Sequence, residues 1–411
     1  MFYSDFNPFA QIFKIIRAHL CKVIKIIATL AKKRNIMTVE RETAGFALPF
    51  AAGTAAAIYA GASSGSIFIH ILTTTALAFL MSLLLADRRR QFPDGALRVI
   101  IMSAALAAGA FCGLISNELA VTSYDVQGFF DNLGTSLETA ADRIPFKDTR
   151  TNEFIKAILT GERRGMSQDV TDAFRKSGAS HILALSGLHL GVIYMMISRA
   201  LSLIGFSPRA VRARSAATIL LCGTYTLATG AGPSIVRAFL FIVLNEAARL
   251  SGRYKSTGNV LLTALVIQSC ISPASLKSVG FQLSYAAMAG IAYIYPWMKG
   301  LWPEGSNGRA REESVANAAI VRPTRWLWNS IAMSVSCQAA TAPLVWMYFR
   351  TFPTYFILTN LIALPLTGVL MPSAALTLML SMAGICPDLL VRITEWLAGL
   401  LIGALGIIAV M

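Results

Sequence analysis

His181-Ile182-Leu183-Ala184-Leu185-Ser186-Gly187-Leu188-His189 places two of the chain's four histidines, a serine and a glycine at the start of a long apolar run. Ionisable groups at membrane depth are costly, so such a cluster calls for a reason. His181 and His189 lie about 80° apart around an ideal helix and roughly 12 Å along it. An unbroken helix therefore cannot bring both to one metal ion. Ser186 and His189, three residues apart, can share a helix face. That pairing is what a serine nucleophile and its general base require. Gly187 and Gly191 form a small-residue pair that lets a second helix approach closely. The plainer alternative is a tightly packed helix whose histidines hydrogen-bond to their neighbours.

Further along, Thr229-Gly230-Ala231-Gly232-Pro233-Ser234 reads as a hairpin opening the next helix, with Arg237 in its first turns. A cation near a helix N-terminus opposes the macrodipole and calls for an anion. Arg237 is then either paired with a carboxylate of another helix or a phosphate contact. Glu246 points to the opposite side of the same helix and is not its simple partner. Gln282 and Ser284 open one apolar run, Gln338 sits within another and Asn360 within the next. Such amides either hold helices together or line a polar path.

These residues sit in an all-α polytopic membrane protein. The 411 residues are 55% hydrophobic and 14% charged, with a mean hydropathy of +0.60. A soluble chain carries about a quarter charged residues. Apolar runs of about 20 residues recur, each able to cross a hydrocarbon core roughly 30 Å thick. About ten to eleven spans are expected, near 44–61, 66–86, 97–116, 179–198, 215–231, 233–249, 259–273, 278–297, 327–348, 354–382 and 391–410. Pro365 and Pro372 leave open whether 354–382 is one tilted or kinked helix or two half-helices. The six cysteines are scattered through apolar runs, which supports neither a disulfide framework nor a zinc site.

Four segments follow. Residues 1–36 carry Lys14, Arg17, Lys22 and Lys25 opposite Phe9, Ile12, Phe13, Ile16, Ile24 and Ile27, the pattern of a helix lying in the headgroup plane. Translation from Met37 would omit that segment. Residues 37–116 hold three spans, 117–178 form a polar stretch, and 179–411 form the main membrane core. With the N-terminus cytoplasmic, Arg88-Arg89-Arg90, Arg209/Arg212/Arg214, Arg249/Arg253/Lys255 and Lys299 through Arg325 all fall inside. The 117–178 stretch then lies outside. It ends in a short amphipathic helix capped by Ser167 and terminated at Gly178, expected to rest on the outer interface or the mouth of a span.

Ala184-Leu185-Ser186-Gly187 is similar in part to the Gly-x-Ser-Gly of rhomboid intramembrane proteases, but Ala184 replaces the leading glycine and no histidine follows His189. A broader similarity covers about 150–400. Gly161-Glu162-Arg163-Arg164, the His181–His189 block, Pro233-Ser234 with Arg237-Ala238, Gly280-Phe281-Gln282-Leu283-Ser284, Gln338 with Pro343, and Asn360 with Pro365 follow one another in the order seen in ComEC-type competence domains. The chain resembles that family. The resemblance implies a bacterial inner-membrane protein that conducts one strand of DNA into the cytoplasm during natural transformation, and is not itself an enzyme.

On that reading His181, Ser186, Gly187, His189, Arg237, Gln282, Ser284, Gln338 and Asn360 line or gate the path, and Arg163, Arg164 and Arg175 make a basic outer mouth. Expected partners are single-stranded DNA, the lipid bilayer, a separate nuclease, a DNA receptor and a cytoplasmic motor, with a homo-oligomer open. No cofactor or metal is expected. Full-length members of the family add an OB-like and a metallo-β-lactamase-like domain, and neither is readable here. No His-x-His-x-Asp-His or P-loop sequence occurs. The alternatives are an intramembrane serine hydrolase using Ser186 and His189, or a small-solute transporter on the same helices.

Overall fold

The computed structural model describes residues 36–59, 94–119, 127–183, 185–202, 207–251, 256–302, 315–350 and 355–410, together with Thr73, Ala76, Leu77 and Leu80. The expected interfacial helix of 1–36, most of the span at 66–86, and the basic residues Arg88, Arg89, Arg90, Arg253, Lys255, Arg309 and Arg311 lie outside the described residues. Among the described residues every regular element is helical. That follows from an apolar surround, where a backbone must satisfy its own hydrogen bonds. Three segments, Gly95–Leu114, Phe356–Met382 and Asp388–Val410, are long and apolar enough to cross a membrane. The protein is an all-α membrane protein.

The chain divides into two compact units. The first comprises residues 1–114 and 256–270, with α1 (Ile36–Tyr59), most of α2 (Asp94–Leu119) and α10 (Thr257–Ile271). Ala47, Phe50, Ala105, Leu262 and Val266 form its core. Glycines set how closely α1 and α2 approach. A Cβ on Gly53 would fall on the carbonyl oxygen of Leu106, and one on Gly109 on that of Phe50. Both obstacles are backbone, so neither can swing aside. The Ser256 hydroxyl donates to the Glu40 carboxylate.

The second unit comprises residues 115–255 and 271–411. Its helices are α3 (Gln127–Asp142), α4 (Thr149–Thr160), α5 (Gln168–Lys176), α6 (Ser180–Leu183), α7 (Gly187–Leu201), α8 (Pro208–Ala228), α9 (Pro233–Leu250), α11 (Val279–Ala289), α12 (Tyr295–Gly300), α13 (Val315–Phe349), α14 (Phe356–Met382) and α15 (Asp388–Val410). Asp148 and Ser167 cap α4 and α5, and Gly178 takes a left-handed φ of 80° after α5. The apolar face of α5 is buried against protein. Val170 and Phe174 join Phe154, Ile158, Leu370, Met371 and Leu401 in one core, because α4 and α5 pack on α15. Glu395 of α15 accepts the Lys147 and Asp148 N–H groups at 2.9 Å each. The polar 117–178 stretch thus contributes an integral layer of the fold.

Three further features bear on the site. The run at 179–198 is not one helix: it breaks into α6 and α7, with Ser186 as the N-cap of α7. Residues 356–382 form one helix despite Pro365 and Pro372. A π turn at Gly290–Ile294 joins α11 to α12, just before Pro296, which cannot donate to the ladder. There a Cβ on Gly290 would fall on the Ser336 carbonyl oxygen of α13.

Glu246 of α9 ties three helices together. The Tyr194 hydroxyl of α7 donates to its Oε1 at 2.7 Å and the Ser215 hydroxyl of α8 to its Oε2 at 2.7 Å. Arg249 lies 2.5 Å from Oε2 and also donates to Ser215 Oγ at 2.8 Å. Glu246 is 2% exposed, a carboxylate fully compensated by one cation and two hydroxyls. Glu246→Ala is expected to lower the stability of the purified protein by about 1–3 kcal/mol, read as a fall in melting temperature in detergent. Gly109→Ala should destabilise by about 1–3 kcal/mol through overpacking. Gly45→Ala, where a Cβ meets nothing within 4 Å, should be neutral or stabilising by about 0.4–1 kcal/mol. Equal melting temperatures for the two glycine variants would contradict the close α1–α2 approach.

Candidate functional site

Five helices of the second unit close a ring. α7 packs on α9, α9 on α11, α11 on α13, α13 on α14, and α14 returns to α7. Each of these helices carries a polar residue singled out in the sequence, and α11 also supplies Tyr285.

On α7, the Ser186 hydroxyl accepts the Leu188 N–H at 3.3 Å, and the Ser186 N–H donates to His189 Nδ1 at 3.1 Å. This reciprocal capping box satisfies helix-end donors that otherwise have no intrahelical partner. Ser186 Oγ also lies 3.0 Å from His189 Nδ1. Because Nδ1 accepts a backbone N–H, the imidazole proton sits on Nε2. His189 is 0% exposed, and its Nε2 has no hydrogen-bond partner among the described residues. His189 shares an i, i+3, i+7 stripe with Val192 and Met196, which belong to the apolar cluster containing Ile362, Ala363 and Leu366 of α14. The imidazole therefore lies on the side of α7 that packs on α14.

His181 is different. It is exposed on α6, with Nδ1 3.3 Å from the Gly178 carbonyl oxygen, a local turn contact. The break at Ser186 removes the simple helical relation expected between the two histidines. Gly187 does receive a neighbouring helix, since a Cβ there would meet Ala238 Cβ at 3.4 Å. Gly191 faces open space, so the pair does not act as one close-packing motif.

Arg237 of α9 is 5% exposed. Its guanidinium carbon lies 5.4 Å from the centre of the Tyr285 ring on α11, a cation–π contact. Tyr285 in turn lies against Phe281, ring centres 4.5 Å apart. Nη1 of Arg237 has no hydrogen-bond partner among the described residues. Glu246 faces away from it, toward α7 and α8, as the helix geometry requires. The start of α9 has no side-chain cap on Gly232.

Gln338 Nε2 on α13 and Asn360 Oδ1 on α14 are likewise buried without a protein partner. So is Thr367 Oγ1, seven residues beyond Asn360 on the same stripe of α14. Gln282 does not join this set. Its Nε2 donates to the Leu276 carbonyl at 2.9 Å and its Oε1 accepts the Tyr348 hydroxyl at 2.7 Å, so it fastens α11 to α13. Ser284 is half-buried on α11. Arg163, Arg164 and Arg175 are exposed, and Arg164 Nε lies 3.5 Å from Glu162 Oε1. No cluster of three or more His, Cys, Asp or Glu side chains among the described residues is placed to hold a metal ion.

Tyr285, Thr367 and the Glu246 cluster were not singled out in the sequence. Tyr285 directly follows the Gly280–Ser284 block, so its position beside that motif was a signal. A lone threonine in an apolar helix gives none.

Comparison with known proteins places these residues in a family. The model of the family described as "Competence protein" matches residues 158–411. The "ComE operon protein 3" of Bacillus subtilis (strain 168) is 32% identical over 136 residues, covering 32% of this chain and 17% of that protein. The "Uncharacterized protein YcaI" of Escherichia coli (strain K12) is 25% identical over 166 residues, covering 39% of this chain and 21% of that protein. Each match thus spans about a fifth of the relative's own length. No solved structure matches. With more than half of its length matched by the family model, from the end of α4 through α15, the chain belongs to the competence protein family.

Proposed function

We propose that this chain takes part in DNA uptake as a multi-pass subunit of the bacterial cytoplasmic membrane that conducts single-stranded DNA inward, with its N-terminus cytoplasmic. The ring of α7, α9, α11, α13 and α14 is the conduit. The observation that carries this reading is a set of polar atoms on the ring helices with no hydrogen-bond partner among the described residues, five of which are His189 Nε2, Arg237 Nη1, Gln338 Nε2, Asn360 Oδ1 and Thr367 Oγ1, with Trp328 Nε1 of α13 the sixth. A buried unsatisfied group costs about 1–3 kcal/mol. Five would together cost about as much as the whole stability of a typical domain, ~5–15 kcal/mol. A fold does not retain such a set unless water or a passing ligand satisfies it. Donors from the imidazole, guanidinium and amide suit phosphate and base edges, and Tyr285 offers a flat face for stacking.

Cutting and pulling the strand then fall to partners: a nuclease, a DNA receptor and a cytoplasmic motor. A hydrolase reading rests on the Ser186–His189 contact. The same contact is accounted for by the capping box, and among the described residues no carboxylate is bonded to the imidazole to orient it.

Clean deletion of the gene should abolish natural transformation in the host, and the wild-type copy should restore it. Arg237→Ala and His189→Ala at matched expression should restore at least tenfold less, whereas the exposed His181→Ala should restore fully. Undiminished transformation in the deletion strain would refute the uptake role. Thr367→Val separates conduit from scaffold. Removing an unpartnered hydroxyl should raise stability by about 1 kcal/mol while lowering transformation, whereas a purely structural Thr367 would leave transformation unchanged. Binding of single-stranded DNA to the purified protein should weaken as salt rises. Labelling by a fluorophosphonate that vanishes in Ser186→Ala would favour the hydrolase instead.

A further inference from the structure

The six cysteines, scattered in the sequence, include two that the fold brings together. Cys112 lies near the C-terminal end of α2 and Cys270 one residue before the end of α10. The two helices meet along matching stripes: Ala105, Ala108 and Cys112 on α2, and Leu262, Val266 and Cys270 on α10, all in one apolar cluster. The small side chains of the α2 stripe let α10 approach. Cys112 Sγ lies 3.9 Å from the carbonyl oxygens of both Ser269 and Cys270, which sets the Cys112 side chain against the Cys270 backbone. Both cysteines are only partly buried, so a small reagent can reach them.

We propose that Cys112 and Cys270 are a disulfide-forming pair that staples α2 to α10. The co-reactant is a disulfide oxidant, either a small molecule or a thiol–disulfide oxidoreductase. One cysteine thiolate displaces a sulfur of the oxidant to give a mixed disulfide, and the second thiolate then displaces the oxidant's remaining sulfur. Two S–H bonds of the protein are lost and one S–S bond forms. The oxidant leaves as two thiols carrying the two electrons and two protons. The loop charges that put the N-terminus inside also place the ends of α2 and α10 on the external face, where such oxidants are abundant. A bridge there would fix α10 to α2 within the first unit, and the pairing does not depend on the DNA reading.

The test uses the purified full-length chain in detergent, exposed to oxidised glutathione, then alkylated, digested with trypsin without reductant and examined by mass spectrometry. The expected result is a linked species joining the Cys112 and Cys270 peptides that separates on reduction. It should vanish in Cys112→Ser and in Cys270→Ser and persist in Cys222→Ser and Cys337→Ser. Absence of that species from the oxidised wild-type protein, where folding is not in question, would overturn the proposal. So would linkage of Cys112 to the other cysteines in comparable yield.

Discussion

A hydrogen-bonding group buried in a protein that is itself surrounded by hydrocarbon has no bulk water to fall back on, and this constraint governs the molecule at every level. It makes the chain helical. It makes each helix end a problem, solved at α4, α5 and α7 by Asp148, Ser167 and Ser186. It also explains why Glu246 is surrounded by Arg249, Ser215 and Tyr194, since an unpaired carboxylate at that depth would neutralise or unfold the site.

Against that background, the exceptions carry the proposed conduit. Among the described residues, six of the nine buried side-chain polar atoms without a hydrogen-bond partner fall on the helices of one ring. Gln282 and Gln338 are both glutamines on neighbouring helices, yet the first is bonded at both ends of its amide and the second has a free nitrogen. The same chemistry thus serves as a fastener in one place and as an unsatisfied donor in another. Arg237 combines the two roles, stacked on Tyr285 and still holding a spare donor. A conduit needs this combination: rigid walls with polar groups that release their ligand easily.

The break between α6 and α7 shows how local and tertiary demands meet. A serine followed by glycine is a poor helix interior but a good helix start, and His189 completes the cap from within the first turn. The cost is a buried imidazole committed at Nδ1, which fixes the proton on Nε2 and aims a donor away from the cap. The motif is at once a helix boundary and a preset donor.

Composition and periodicity determined that the chain is an all-α membrane protein, and the order of its motifs determined its family, because both depend on residue types along the chain. The start of α9 at Pro233, the Ser167 cap and the divergence of Arg237 and Glu246 were also legible, since they follow from local helix geometry. Which amides are fastened, which helices close the ring, that Val170 and Phe174 face protein, and that Cys112 lies against Cys270 were decided by tertiary structure alone. Each of these depends on the partner that long-range packing brings opposite a side chain. Residues 158 positions apart in sequence, as Cys112 and Cys270 are, leave no trace of one another in local pattern.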